Sequence, residues 1–219
     1  MASQTRSAGL GQSVNRPVGV TNWQNPTNIY SSNDARASVS LDGPYDEEDG
    51  EASHYLWATT FGFTIPTDAV IDGIIVEYER YSSNGYIEDD AIYIIKAGSA
   101  TGNNKAGLHG MWRTSEGYDA YGGVADKWGT TWAYGQINSV NFGVCIGVQC
   151  TEWDEYDTAR VDHVRITVYY TEVGTNIQIK VGGAWKDVTE MQIKVGGAWK
   201  AVTQAKIAIS DAWKTIFGA

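Results

Sequence analysis

The sequence predicts an all-β protein: a jelly-roll-like antiparallel β-sandwich followed by a C-terminal array of three short β-hairpin repeats. Three observations predict it. The 219-residue chain carries 13 Tyr, 9 Trp and 25 Gly, a composition that suits strands and tight turns better than helices. Short segments of alternating apolar and polar residues recur with turn residues between them and without a helical period. Finally, a fourteen-residue unit is written three times, as IQIKVGGAWKDVTE from Ile177, MQIKVGGAWKAVTQ from Met191 and AKIAISDAWKTIFG from Ala205. The chain therefore divides into an N-terminal arm (1–15), a sandwich (16–172) and the repeats (173–219).

Taken in order, residues 1–15 are small and polar and read as an arm that is extended or ordered by contact. The following TNWQNPTNIYSSND is punctuated as loop, and ARASVSL alternates like a first edge strand. GPYDEEDGE reads as an acidic turn, and HYLWATTFGFTIP as an apolar strand pair ending at Pro66. A half-buried strand follows, with Val70, Ile74, Val76 and Tyr78 on one face and Glu77 and Glu79 on the other. YSSNGYIEDD reads as turn, AIYIIKAG as strand, and a Gly- and aromatic-rich stretch of about forty residues as long loop. Two further strands alternate through Phe142, Val144, Ile146 and Val148 and through Val164, Ile166, Val168 and Tyr170. Several short strands with turns between them close a sandwich near Glu172, in the eight-strand jelly-roll manner.

In the repeats, Ile177, Ile179 and Val181 alternate with polar residues, and Gly182-Gly183 suits a tight turn before a second strand. One such hairpin has too few apolar side chains to stand alone and needs neighbours to cover it. Trp185, Trp199 and Trp213 fall in one register, each followed by a lysine, Lys186, Lys200 and Lys214. These six residues are the candidate docking set, and the repeats are expected to be an assembly element.

Charge separates the two parts. Residues 1–172 carry ten basic and 23 acidic side chains, and residues 173–219 six lysines and three acids, within a total of −10. An acidic body argues against a nucleic-acid partner, which requires clustered Lys and Arg. No run of eighteen apolar residues predicts membrane insertion, and the N-terminal residues have no apolar core of a signal peptide. The tail lysines serve either docking on an acidic surface or protection of hairpin edges.

Motifs for catalysis are missing from the sequence: no Gly-x-Ser-x-Gly, no P-loop, no dinucleotide fingerprint. The chain is expected not to be an enzyme and to need no cofactor. His54, His109 and His163 lack zinc spacing, and Cys145 and Cys150, five apart in one strand, point to opposite faces. Three acidic clusters could hold calcium: Asp46, Glu47, Glu48 and Asp49; Glu88, Asp89 and Asp90; Asp154, Glu155 and Asp157. None has the EF-hand spacing, and the alternative is a solvated turn. Of these, Asp46, Asp49, Asp154 and Asp157 are the candidate ligands.

Trp112, Tyr118, Tyr121, Trp128, Trp132 and Tyr134 lie within 23 residues. Exposed rings beside carboxylates and amides can stack on sugar faces and bind hydroxyls. Tyr118, Tyr121, Trp112 and Trp128 are the candidate glycan-binding set, with Tyr118 and Tyr121 the better placed. The alternative is that the rings pack beneath the loop, the reading preferred for Trp128 and Trp132.

The succession GFTIP, VIDGIIVEYER, IYIIKAG, GNNKA, YGGVADKWGTTW, INSVNFGVCIGV and ARVDHVRITVYY resembles a β-sandwich domain of virion proteins of tailed bacteriophages. The IKVGGAWK units resemble short repeats of phage tail and fibre proteins. The resemblance spans about residues 20–217 and implies a virion structural protein made in the host cytoplasm. Tail or baseplate fibre is favoured over capsid decoration or a head fibre. It further implies other virion proteins as partners and a homo-oligomer, trimer favoured, with a receptor- or glycan-binding module as the alternative.

Overall fold

The computed structural model describes residues 1–44, 51–172, 178–181, 184–187, 191–202, 205–209 and 212–217. The chain divides into two compact units, Met1–Glu172 and Val173–Ala219.

The first unit is an antiparallel β-sandwich. Its strands are β1 (Ala2–Ser7), β2 (Leu10–Val14), β3 (Ala37–Asp42), β4 (Tyr55–Thr59), β5 (Val70–Ser82), β6 (Ile87–Lys96), β7 (Ser99–Thr101), β8 (Gly117–Gly123), β9 (Gly143–Cys150) and β10 (Tyr156–Thr171). One sheet has the order β1-β10-β5-β8 with β3 also on β10, and the other β2-β4-β9-β6-β7. From β3 onward, β3-β10-β5-β8 faces β4-β9-β6-β7, the alternation of an eight-strand jelly roll. The inward residues of both sheets merge into a common core that includes Leu56, Ile74, Val76, Phe142, Ile146, Val164 and Ile166.

Residues 2–14 are ordered by contact and belong to the same unit as the sandwich. β1 pairs residue by residue with β10 from Ala2↔Tyr170 to Ser7↔Arg165, and β2 pairs with β4 from Leu10↔Thr59 to Val14↔Tyr55. Their polar side chains suit edge strands, where the backbone ladder supplies the attachment and the side chains face water. Thr5 Oγ1 meets Thr167 Oγ1 at 2.8 Å across the pair.

Bulges set the parity of two strands. In β5 the register slips between Ile71 and Gly73, so Ile71 turns inward and Val70, expected inside, is exposed. Beyond it, alternation carries Ile74, Val76, Tyr78 and Arg80 into the core. β6 begins at Ile87, earlier than the sequence suggests, and has a second slip between Asp89 and Ala91. Of HYLWATTFGFTIP, Tyr55–Thr59 is strand, and Phe61 and Phe63 pack on Phe142 outside the ladder.

The second unit contains three hairpins: β11 (Gln178–Val181) with β12 (Ala184–Asp187), β13 (Gln192–Val195) with β14 (Ala198–Ala201), and β15 (Ala205–Ile209) with β16 (Ala212–Phe217). Their registers correspond: Lys180↔Trp185, Lys194↔Trp199 and Ala208↔Trp213. In the middle hairpin Gly196 and Gly197 have φ of 60° and 85°, the two left-handed residues of the turn whose twist matches the strands. Among the described residues no helix is long and apolar enough to cross a membrane.

Candidate functional site

The aromatic stretch expected as loop is largely interior. β8 alternates, sending Asp119 and Tyr121 inward and Tyr118 and Ala120 outward. Tyr121, Trp128 and Trp112 are buried, which removes them from any exposed glycan platform. Trp112 and Tyr121 flank the guanidinium of Arg80, itself buried and 4.3 Å from the Trp112 ring centroid and 5.3 Å from that of Tyr121. Arg80 pairs with Asp89 and, at 2.9 Å, with Asp119, which also binds Arg113. The Asp89 carboxylate accepts from Trp112 Nε1 at 2.8 Å and from the Tyr121 hydroxyl at 2.5 Å. Trp128 Nε1 donates to the Ile74 carbonyl at 3.1 Å. Burial raises the Tyr121 pKa, and Asp89 adds to the rise. Burial opposes the Arg80 charge, but Asp89 and its other partners outweigh it and raise the pKa. The rings pack inside because each indole N–H or hydroxyl finds an acceptor there.

Tyr118 is partly exposed on the outer face of the same sheet. Arg165, held by Glu77 through two 2.8 Å hydrogen bonds, lies 4.2 Å from its ring centroid. Its hydroxyl meets His163 Nδ1 at 2.8 Å, and His163 Nε2 meets Ser7 Oγ at 2.8 Å. Burial lowers the His163 pKa and favours the neutral ring. One face of Tyr118 is thus covered by guanidinium and its hydroxyl is engaged.

The outer face of the second sheet carries a row of residues that the sequence reading did not single out. Gln12, Trp57, Cys145 and Tyr93 lie side by side across β2, β4, β9 and β6. Trp57 and Tyr93 are partly exposed, as is Tyr55 two residues along β4. Small residues at Cys145 and Gly147 of β9 lie between the rings on β4 and β6. The Trp57 Nε1 atom is buried without a hydrogen-bond partner among the described residues. Arg16 stands 5.2 Å from the Tyr55 ring centroid, donates to the Ser53 carbonyl at 2.7 Å and pairs with Asp90. A Cβ at Gly147 would come 2.7 Å from the Arg16 guanidinium carbon, so glycine lets Arg16 lie flat on the sheet. Burial pushes the Cys145 thiol up to about 12. Both cysteines are free and buried. The signal was present in YLWAT, where Tyr55 and Trp57 alternate with core Leu56 and Ala58, but with apolar side chains on both faces the alternation does not show which face is open.

The acidic clusters separate. Asp46 and Asp49 lie outside the described residues. Asp157 is buried, with its carboxylate accepting from the backbone N–H groups of Asn84, Tyr86 and Thr158 at 2.9, 2.8 and 2.7 Å, and it anchors the loop. Asp154 is exposed, beside an open hollow of about 300 Å³ that also touches Asp42, Gly43, Glu155 and Tyr156. Glu88, Asp89 and Asp90 turn to Gln149, Arg80 and Arg16 respectively, so they form no common ion site.

In the middle repeat, register puts Trp199 beside Lys194 on one face and Ile193 beside Lys200 on the other. Trp199 is 66 % and Ile193 54 % exposed, and Lys194 Nζ lies 5.7 Å from the indole centroid. The side chains of Trp185, Lys186, Trp213 and Lys214 lie outside the described residues.

No family model and no curated protein matches the chain. It is similar to two solved structures. One, described as "CBM4 structure and function", shares 9% identity at a TM-score of 0.36, covering 74% of this chain and 92% of that one. The other, the second N-terminal cellulose-binding domain of Cellulomonas fimi β-1,4-glucanase C, shares 10% identity at a TM-score of 0.39, covering 76% and 93%.

Proposed function

We propose that this protein is a non-enzymatic subunit of a larger assembly, and that its terminal hairpins are the docking element. The observation that carries this reading is the middle hairpin, whose Trp199 and Ile193 are exposed on opposite faces. A two-stranded ribbon with apolar surface on both sides gains stability by being covered from both sides. Further copies of the same hairpin, or strands of a companion protein, supply such a cover. The assembly is a phage particle, with tail or baseplate fibre as the position and a trimer as the form; the quoted strand succession and the IKVGGAWK units support this placement.

The test is the mass of the full chain in solution and its recovery in particles. The chain should self-associate or enter particles, and replacement of Trp185, Trp199 and Trp213 by alanine should abolish both. A full chain that stays monomeric, with the triple variant incorporated at the normal level, overturns the reading.

A second reading, glycan binding by the sandwich, is favoured by the Trp57 face. Partly exposed rings on both sides of small Cys145 and Gly147, with the Gln12 amide in the same row, suit the apolar face and hydroxyl edge of a sugar. Affinity electrophoresis of the full chain in soluble polysaccharides should show retardation that Trp57→Ala removes and Tyr118→Ala leaves. Retardation that depends on Tyr118 instead would return the site to the aromatic stretch.

A further inference from the structure

A bulge in β10 leaves one carboxylate incompletely used. Between Val161, opposite Arg80, and His163, opposite Glu79, the strand carries an extra residue, Asp162, and such a residue has its side chain re-aimed. At this point β10 loses β3 as its neighbour and has not yet gained β1. The segment 30–36 crosses the interval: Tyr30 bridges to His163, and the backbone N–H groups of Asn33 and Asp34 both donate to Asp162 Oδ2 at 3.0 Å. Asp162 is 1% exposed, yet its Oδ1 has no donor among the described residues. A buried carboxylate oxygen in that condition is costly unless a cation or water meets it.

Two more carboxylates converge there. One oxygen each from Asp34, Glu116 and Asp162 lies within 4.8 Å of the others. Arg36 bridges the first two, 2.5 Å from Asp34 and bidentate to Glu116 at 2.8 and 2.7 Å. Three carboxylates around one guanidinium leave two negative charges. Glu79, on the strand opposite, adds a further negative charge near Asp162.

We propose that Asp34, Glu116 and Asp162 form a binding site for calcium. The donors are all oxygen, with no thiol or imidazole among the three, which selects a hard cation. They come from a loop, the approach to β8 and a bulge, an irregular set that suits calcium better than the strict octahedron of magnesium. Water completes the shell. Each carboxylate has several lone-pair directions, so Asp34 and Glu116 can serve Arg36 and the ion together. The ion would give Asp162 Oδ1 its missing partner and pin segment 30–36 to β10.

The test uses the full chain, stripped with EDTA, and terbium as the probe. Tyr81, whose ring centroid lies 5.3 Å from Arg36, is near enough to sensitise its emission. Emission should saturate at a single site, be reversed by calcium, and resist magnesium at the same concentration. Calcium should also raise the melting temperature. Asp162→Asn and Asp34→Ala should each weaken binding at least tenfold, whereas Asp154→Asn should leave it unchanged. The Asp34 side chain is 82% exposed, so its variant reports even where Asp162→Asn does not fold. Absence of saturable binding, a weakening below tenfold in Asp34→Ala, or loss of binding in Asp154→Asn overturns the site. Displacement by magnesium as effective as by calcium overturns the choice of ion.

Discussion

The sandwich encloses charge, while the middle hairpin leaves its tryptophan and isoleucine in contact with water. Arg80, Asp89 and Asp119 sit within the sandwich beneath two layers of strands, whereas Trp199 and Ile193 are exposed. The contrast shows that residue type alone does not decide burial. Two packed layers create an interior that admits polar groups when each is paired, and a lone two-stranded ribbon has no second layer to create one.

The largest expected effect comes from breaking the buried charge cluster. Arg80→Ala leaves Asp89 and Asp119 without their central cation and should cost about 3–5 kcal/mol, read as a fall in the denaturant midpoint at unchanged slope. Next is Tyr121→Phe, which withdraws one donor from Asp89 and should cost about 1–3 kcal/mol in the same experiment.

Alkali should separate the two regions more gradually. Burial raises the Tyr78 and Tyr121 hydroxyls above their ordinary 10.0 and the Cys145 thiol from 9.0 to about 12. The folded sandwich keeps these protons where the unfolded chain releases them, so stability is full below pH 9 and declines as pH rises through 9 and 10 toward 12. Melting curves at successive pH values should show that decline, and a flat profile would contradict the burial of these groups. The smallest effect is Trp199→Ala, which should shift sandwich unfolding by less than about 0.5 kcal/mol while reducing association of the full chain. A large loss of sandwich stability in that variant would erase the distinction between the regions.

Much of the architecture was readable in advance. Alternation in GVCIGV and HVRITVYY marks β9 and the second half of β10, and AWK written three times in one register marks the hairpins. The polar N-terminus reads as an arm apart from the sandwich, yet a backbone ladder needs no apolar side chain, and β1 and β2 are held by their ladders at sheet edges. GYDAYGG misled in the opposite direction: its glycines suggest loop, while β8 uses the period of two to send Tyr121 inward and Tyr118 outward. For the candidate sites, the sequence located the aromatic stretch and the acidic runs without their partners. Arg80 beside Asp119, or Asp34 beside Asp162, joins residues far apart along the chain, and no local pattern records such a meeting.

The amino-acid order by itself determined the strand periodicity, the division of charge between body and tail, and the threefold hairpin register, because each depends on neighbours along the chain. The tertiary structure alone decided which side of each strand became interior and where carboxylates converge. Those outcomes follow from bulges that change parity at Asp72, Asp90 and Asp162 and from the stacking of two sheets, and a one-residue slip reverses every side chain beyond it.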